Sequence, residues 1–462
     1  MAISAWILLE LRPPLATFLW ILLIAALPVG GPGIFLLLGA RRIRRSRWQR
    51  SLAERRAHAS SGGPLAPADA SRGEALAALE PRFRQLLELG AHNSEASITT
   101  GNLVRVLRNG SQCFPAIEEA ITRARHHVHL EYYIIEEDQT GTRLRDLLAS
   151  RASEGVQVRL LTDAFGTGLS RRFLAPLRAA GVEVEAFNRM RLLRLAAPGA
   201  NFRSHRKIVV CDGDVAFTGG LNIGDAYAGI GPERPIRDTH VRIEGPAARD
   251  LQIIFLEDWH RACGRTIADA ALFGTGARPG GELVQIVASG ADRRWHALHQ
   301  LYFAAINCAQ RSVRISTPYF VPDEALLAAL VSAALRGVTV ELLLPRRSDS
   351  IVVSAAGRSY YDELLLAGVR IFEYLPGFLH AKSLVVDGLC STIGTANLNR
   401  RSFNTDFEVN AFFYSPAIAS ELEEMFVEDL ARAERCSLES RLNTSFPRRL
   451  AEAGAHLLAP IL

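Results

Sequence analysis

The stretch His205–Asn222 (HRKIVVCDGDVAFTGGLN) lies over His380–Asn397 (HAKSLVVDGLCSTIGTAN) without a gap. Histidine, lysine, aspartate, glycine and asparagine recur in register, and such residues are expensive to keep in a folded interior unless they are used. A gap-free repeat of this kind predicts a duplicated unit whose two copies share one site at their interface. What precedes each copy fits the duplication. Apolar β-branched runs alternate with helical patterns: Val128–Ile135, Arg143–Glu154, Val156–Thr162 and Ser170–Ala180. A second round follows as Val313–Phe320, Glu324–Arg336, Val338–Leu344 and Tyr360–Ala367. That βαβα order predicts an α/β fold in both rounds.

Within each copy, histidine alternates with apolar neighbours. The period of two predicts a strand that places His205 and Lys207 on one face, and likewise His380 and Lys382. A neutral imidazole can attack, and a second imidazole held protonated can give its proton to a leaving alkoxide. A phosphodiester also needs fixed cations and amide donors for the charge that builds on its oxygens. Lys207, Lys382, Asn222 and Asn397 match that need. Lys207 and Lys382 are the only lysines among 53 basic side chains, so arginine does not substitute where a compact ammonium is wanted. Asp212 and Asp387 complete the motifs; at strand ends before Gly213 and Gly388, they are expected to fix the turn. One such motif alone reads as surface alternation. Two in register, holding both lysines, read as a catalytic site.

The charge balance, 53 basic against 48 acidic residues in 462, gives no basic field of the kind that nucleic-acid binding requires. Six scattered cysteines lack the spacing of a zinc site, and no metal or cofactor is expected. The uncharged run Leu15–Gly39 is long enough for about 37 Å of helix, which predicts one membrane span. The arginines Arg41, Arg42, Arg44, Arg45, Arg47 and Arg50 follow it and would hold the rest of the chain in the cytoplasm. Pro28, Gly30, Gly31, Pro32 and Gly33 interrupt the run and allow a shallow hairpin as the other outcome. The expected organisation is a membrane anchor with basic flank over 1–50, a flexible linker over 51–79, a first catalytic domain over 80–275 and a second over 276–462.

With both motifs in view, the chain resembles the phospholipase D superfamily, and within it the bacterial cardiolipin synthases. The resemblance extends to Glu131-Tyr-Tyr, Arg237-Asp-Thr-His, Thr317-Pro-Tyr-Phe-Val-Pro, Pro345-Arg-Arg-Ser-Asp-Ser and Gly394-Thr-Ala-Asn-Leu-Asn. It implies two α/β/α domains packed face to face around one active site, here preceded by a transmembrane segment. It further implies phosphatidyl transfer between two phosphatidylglycerol molecules through a phosphohistidine, without metal or nucleotide, at the cytoplasmic side of the bacterial inner membrane. His205 is assigned as nucleophile and His380 as acid, then base. An acidic residue downstream of each motif orients its histidine: Asp238 after the first and Glu408 after the second. The first motif has Gly219-Gly220 where relatives often carry Gly-Ser. The second has Thr395 there, a hydroxyl expected on one side of the site only.

Two further stretches are candidates for lipid contact, Arg189–Leu195 and Phe446–Leu462. His126, His127 and His129 are expected to pack, and Asp258-Trp259 to lie in the core. The motifs leave open a hydrolase using water as acceptor, a transphosphatidylase with another alcohol acceptor, a nuclease of the same superfamily, and a noncatalytic membrane scaffold.

Overall fold

The computed structural model describes residues 2–9, 14–35, 70–187, 202–231, 235–293 and 295–462. Fifteen strands form one continuous sheet. At its centre Glu282–Ser289 and Thr99–Arg108 meet antiparallel. Outward from Thr99–Arg108 come Thr239–Glu244, Val215–Gly219, Ile208–Cys211, His127–Tyr132, Gln157–Asp163 and Glu183–Phe187. Outward from Glu282–Ser289 come Glu408–Phe413, Cys390–Gly394, Ser383–Val386, Ser312–Ser316, Thr339–Pro345, Arg370–Tyr374 and Ala433–Arg435. The last edge strand aside, each strand has a counterpart at the same distance from the centre, with the same mixture of parallel and antiparallel pairing. The two halves therefore join edge to edge through one continuous sheet, which corrects the expectation of two domains packed face to face. Pairing the central strands satisfies backbone groups that two separate sheets would leave exposed at their edges.

The helices pack where their apolar faces predict. Ser170 caps Arg171–Ala179 by accepting from Phe173 N, and Asp323 caps Glu324–Leu335 by accepting from Leu326 N. Two large apolar clusters lie under the outer strands of the halves, and a third lies across the junction, where Val106, Ile286 and Val409 are buried together.

At the N-terminus the expected transmembrane segment is not formed. Three short helices, Ala2–Leu9, Pro14–Ala26 and Gly30–Ile34, replace it. Among the described residues no helix is long and apolar enough to cross a membrane. Thirteen helical residues in Pro14–Ala26 reach only about 20 Å against a hydrocarbon core of about 30 Å. The break falls at Leu27–Val29, beside Pro28, whose missing N–H and ring oppose a continuous helix. Beyond it the chain turns back, and Gly31 packs so closely on Leu23 that a Cβ would lie 2.8 Å from the Leu23 carbonyl oxygen. Phe35 closes the bundle, edge-on to Trp6 and Trp20 at 5.5 and 5.2 Å. The arginine cluster at 41–50 lies outside the described residues, as do 51–69 of the expected linker. The linker's last part is instead helical, as Ala70–Ala78.

Candidate active site

Each histidine sits at a junction between halves. His205 precedes Ile208–Cys211, and its N–H donates across to the Phe407 carbonyl at 2.9 Å. His380 precedes Ser383–Val386, and its N–H donates to the Arg237 carbonyl at 2.7 Å. Phe378–Leu379 pairs in parallel with Ile236–Arg237 in the same crossing. The histidines and lysines thus occupy the segments leading into the strands, which begin at Ile208 and Ser383 and not at the histidines as the alternation predicts. The alternation itself is kept: Arg206 points the other way, buried, to Asp258, and donates to the carbonyls of Glu408 and Ser289 at 3.2 Å each.

The acidic partners are exchanged between halves. His380 Nδ1 lies 2.6 Å from Asp238 Oδ2, and His205 Nδ1 lies 3.3 Å from Glu408 Oε1. The expectation that each acid orients the histidine of its own motif is corrected. Each acid belongs to the strand region that crosses over to meet the other half's motif. Burial alone would raise the Asp238 carboxyl, but His380 and Lys382 hold it below the usual range. Glu408 is likewise held low, against burial, by His205, Thr395 and Lys207. Both acids are therefore carboxylates and can only accept; the hydrogen bond to Asp238 puts the hydrogen on His380 Nδ1, and the charge of Glu408 beside His205 Nδ1 favours the same tautomer there, which leaves each Nε2 for chemistry.

The lysines line the same site, fully buried. Lys207 Nζ donates to the His205 carbonyl at 2.7 Å, and Lys382 Nζ to the His380 carbonyl at 2.6 Å. Desolvation and repulsion from Lys382 bring Lys207 down to about 7, and desolvation brings Lys382 to about 8. Burial and Lys382 push His380 down to about 4, outweighing Asp238; burial and Lys207 lower His205 as well. Two ammoniums and two carboxylates balance. A phosphodiester adds one negative charge to this buried set, and one protonated imidazole restores neutrality.

Thr395 does not offer its hydroxyl to a substrate. Its Oγ1 donates to Glu408 Oε2 at 2.5 Å and accepts from Val409 N at 2.9 Å. At the matching Gly220 a Cβ would lie 2.0 Å from Asp238 Oδ1, so glycine there makes room for the aspartate. Asn222 Nδ2 donates to Tyr227 Oη at 2.8 Å, and Asn397 Nδ2 to Ser402 Oγ at 3.4 Å; both asparagines are buried.

Asp212 and Asp387 stand apart from the imidazoles. Both have left-handed backbones, with φ of 53° and 56°. Asp212 accepts from the N–H groups of Arg125, His126 and His127, and Asp387 from those of Gln310, Arg311 and Ser312. They tie each motif strand to its neighbour, and they are turn-fixing residues. His127 and His129 are buried against Gln252, and Trp259 is core. The stretch Arg189–Leu195 lies outside the described residues, and Phe446–His456 is a helix beside Ile351–Arg358.

Rings line both imidazoles. Tyr133 lies 4.6 Å from His205; Tyr227 and Phe378 lie 5.6 and 5.5 Å from His380. Sequence reasoning singled out neither these rings nor Arg206. The available signal for Arg206 was its place between His205 and Lys207, which the alternation turns to the face opposite the two functional side chains.

Comparison with known proteins decides the family. The model of the cardiolipin synthase, phospholipase D-like domain matches residues 117–259 and 302–430. The chain belongs to the cardiolipin synthase family. A cardiolipin synthase of Geobacillus kaustophilus is 41% identical, covering 100% of this chain and 91% of that protein. Cardiolipin synthase 2 of Bacillus anthracis is 38% identical over 100% of this chain and 89% of its own length. Among solved structures, phosphatidylserine synthase of Haemophilus influenzae superimposes with a TM-score of 0.60 at 16% identity, covering 82% of this chain and 100% of that one. That likeness concerns the fold.

Proposed function

We propose that this protein is a phosphatidyltransferase that converts two phosphatidylglycerol molecules into cardiolipin and glycerol. The observation that carries the reading is the exchanged pair of histidine–carboxylate contacts, set between two buried lysines. His205 Nε2 attacks the phosphorus of the first lipid. His380 gives its proton to the departing glycerol oxygen. The hydroxyl of a second phosphatidylglycerol then loses its proton to His380 and attacks phosphorus, which breaks the phosphorus–nitrogen bond and frees His205. One diester is traded for another, so the chemistry asks for no metal or nucleotide.

The assignment of roles rests on the two contacts. On its own the protein holds His380 down to about 4, so its proton arrives with the phosphodiester, whose negative charge joins the 2.6 Å pair with Asp238 in favouring an imidazolium there. His205 is the more exposed ring, and its contact with Glu408 is longer, as suits a nucleophile that must meet phosphorus. Lys207, Lys382, Asn222 and Asn397 are assigned to the phosphoryl oxygens. The chain divides into an N-terminal helical part and two catalytic halves, over 80–275 and 276–462.

The working place of the enzyme is the bacterial membrane, at its cytoplasmic face, where the arginines at 41–50 would meet anionic headgroups. Exposed Phe446, Leu450 and Ile351 on two adjacent helices support lipid contact. The near-even charge balance speaks for a lipid in place of nucleic acid. The test is incubation with acyl-labelled phosphatidylglycerol without added metal, beside His205→Ala and His380→Ala. Cardiolipin and glycerol, lost in both variants, are expected. Phosphatidic acid alone would mean a hydrolase.

A further inference from the structure

The alcohol side of the site carries a carboxylate that the transfer chemistry does not use. Asp349 lies in the loop after Thr339–Pro345, exposed, just before the helix Ile351–Arg358. Tyr319 Oη donates to both of its oxygens, at 2.8 and 2.7 Å, and Ser348 Oγ donates to Oδ1 at 3.2 Å. The Tyr319 ring lies 6.3 Å from Phe378, which lies 5.5 Å from His380. The carboxylate also acts electrostatically on Lys382 and Tyr227. It is thus tied through Tyr319 to the row of rings that leads by Phe378 to His380, within electrostatic reach of Lys382.

A carboxylate has about four acceptor positions, and Tyr319 and Ser348 bring two hydrogens between them. The remaining capacity is open to solvent, since Asp349 is exposed. At the matching strand end of the first half the arrangement differs: Asp163 accepts from the backbone N–H of Phe165, Gly166 and Ser204. The halves are therefore alike at the phosphorus and unlike where an alcohol would sit.

We infer that Asp349, held by Tyr319, binds the vicinal hydroxyls of the glycerol headgroup and so selects a diol as leaving group and as acceptor. The inference rests on the synthase reading above. The hydroxyl that reacts faces His380. The neighbouring hydroxyl donates to Asp349, which brings the reacting oxygen into line. As the oxygen–phosphorus bond forms and the phosphorus–His205 bond breaks, the proton of the reacting hydroxyl passes to His380. Asp349 takes no proton and serves as a positioning residue. Water and simple alcohols lack the second hydroxyl and gain nothing from it.

The experiment supplies acyl-labelled phosphatidylglycerol with equal concentrations of 1,2-propanediol, 1-propanol and ethanolamine, and measures the ratios of the phosphatidyl products. These ratios report acceptor selectivity whatever the absolute rate. Wild type is expected to favour the diol over propanol. Asp349→Asn should lower that preference by about tenfold or more, the scale of one hydrogen bond to a charged group. Tyr319→Phe, which keeps the carboxylate and frees it, should lower it less and in the same direction, and supplies the answer if Asp349→Asn does not fold. A diol-to-propanol ratio within twofold of wild type in both variants would overturn the inference. So would a wild-type preference for ethanolamine that Asp349→Asn removes, since the carboxylate would then read an ammonium. Absence of any transfer product from wild type would overturn the synthase reading itself, and this one with it.

Discussion

His380 of the second half donates from Nδ1 to Asp238 of the first at 2.6 Å, across the junction where Phe378–Leu379 pairs with Ile236–Arg237. With Glu408 reaching back to His205 at 3.3 Å, neither half holds a complete histidine–carboxylate pair. The duplication is thus locked into one catalytic unit, because separating the halves strips each imidazole of its partner.

Asp238→Asn should lower kcat on the order of 10²- to 10⁴-fold, as when the carboxylate behind a catalytic histidine is neutralised. Glu408→Gln should cost less, because its contact is longer and Thr395 already shares the carboxylate. Single-turnover rates of the two variants, with circular dichroism to check the fold, measure this. Equal losses would remove the distinction drawn between the imidazoles.

Thr395→Val keeps the shape of the buried side chain and removes the hydroxyl that donates to Glu408. That hydroxyl helps hold Glu408 below the usual glutamate range, after His205. Without it the Glu408 pKa rises, so the carboxylate is protonated at a higher pH. The acid limb of the kcat/KM profile should move upward in the variant. A profile that scales down without shifting would assign the threonine to packing.

The strand and helix order was legible because its cause is local. The alternation around His205 and the capping serines and aspartates act within a few residues, and Arg171–Ala179 begins where Ser170 says it should. The exchange of Asp238 and Glu408 was not legible, since spacing along the chain is the same whether an acid turns to its own motif or to the other. It follows from joining Thr99–Arg108 to Glu282–Ser289, a pairing some 180 residues apart that periodicity cannot see. The N-terminal run was expected to span, although Pro28 and its neighbouring glycines were seen to interrupt it, because hydropathy adds up along a sequence. A helix does not, and Pro28 with the close Gly31–Leu23 contact ends it.

Asp387→Ala should act on stability and leave the activity of folded molecules. The change removes an acceptor of three backbone N–H groups and the ion pair with Arg82, and leaves a residue other than glycine at φ 56°. A loss of about 1–3 kcal/mol follows from removing charge-assisted hydrogen bonds to three partly buried donors. Burial alone would raise the Asp387 carboxyl, yet the N–H donors and Arg82 depress it below its ordinary value. Its contribution is therefore present above the unfolded pKa and lost as pH falls through the folded one. Urea unfolding near neutral and acid pH should show a wild-type advantage that shrinks in acid. A loss of kcat with stability unchanged would place Asp387 in the chemistry.

The buried lysines set the alkaline limit. Lys207 stands at about 7 and Lys382 at about 8, each lowered first by desolvation. Raising the pH through these values removes positive charge from the site, so the phosphodiester anion loses attraction and transition-state support. kcat/KM for phosphatidylglycerol should accordingly fall between about pH 7 and 9, approaching loss with the second power of proton activity where both lysines titrate. Bound substrate raises both values, so kcat should hold to higher pH than kcat/KM. Lys207→Arg gives the control: guanidinium keeps its proton throughout, so whatever activity survives should fall with a single proton. An alkaline limb unchanged in that variant would mean that Lys207 does not titrate in the working range, and that Lys382 or the acceptor sets the limit.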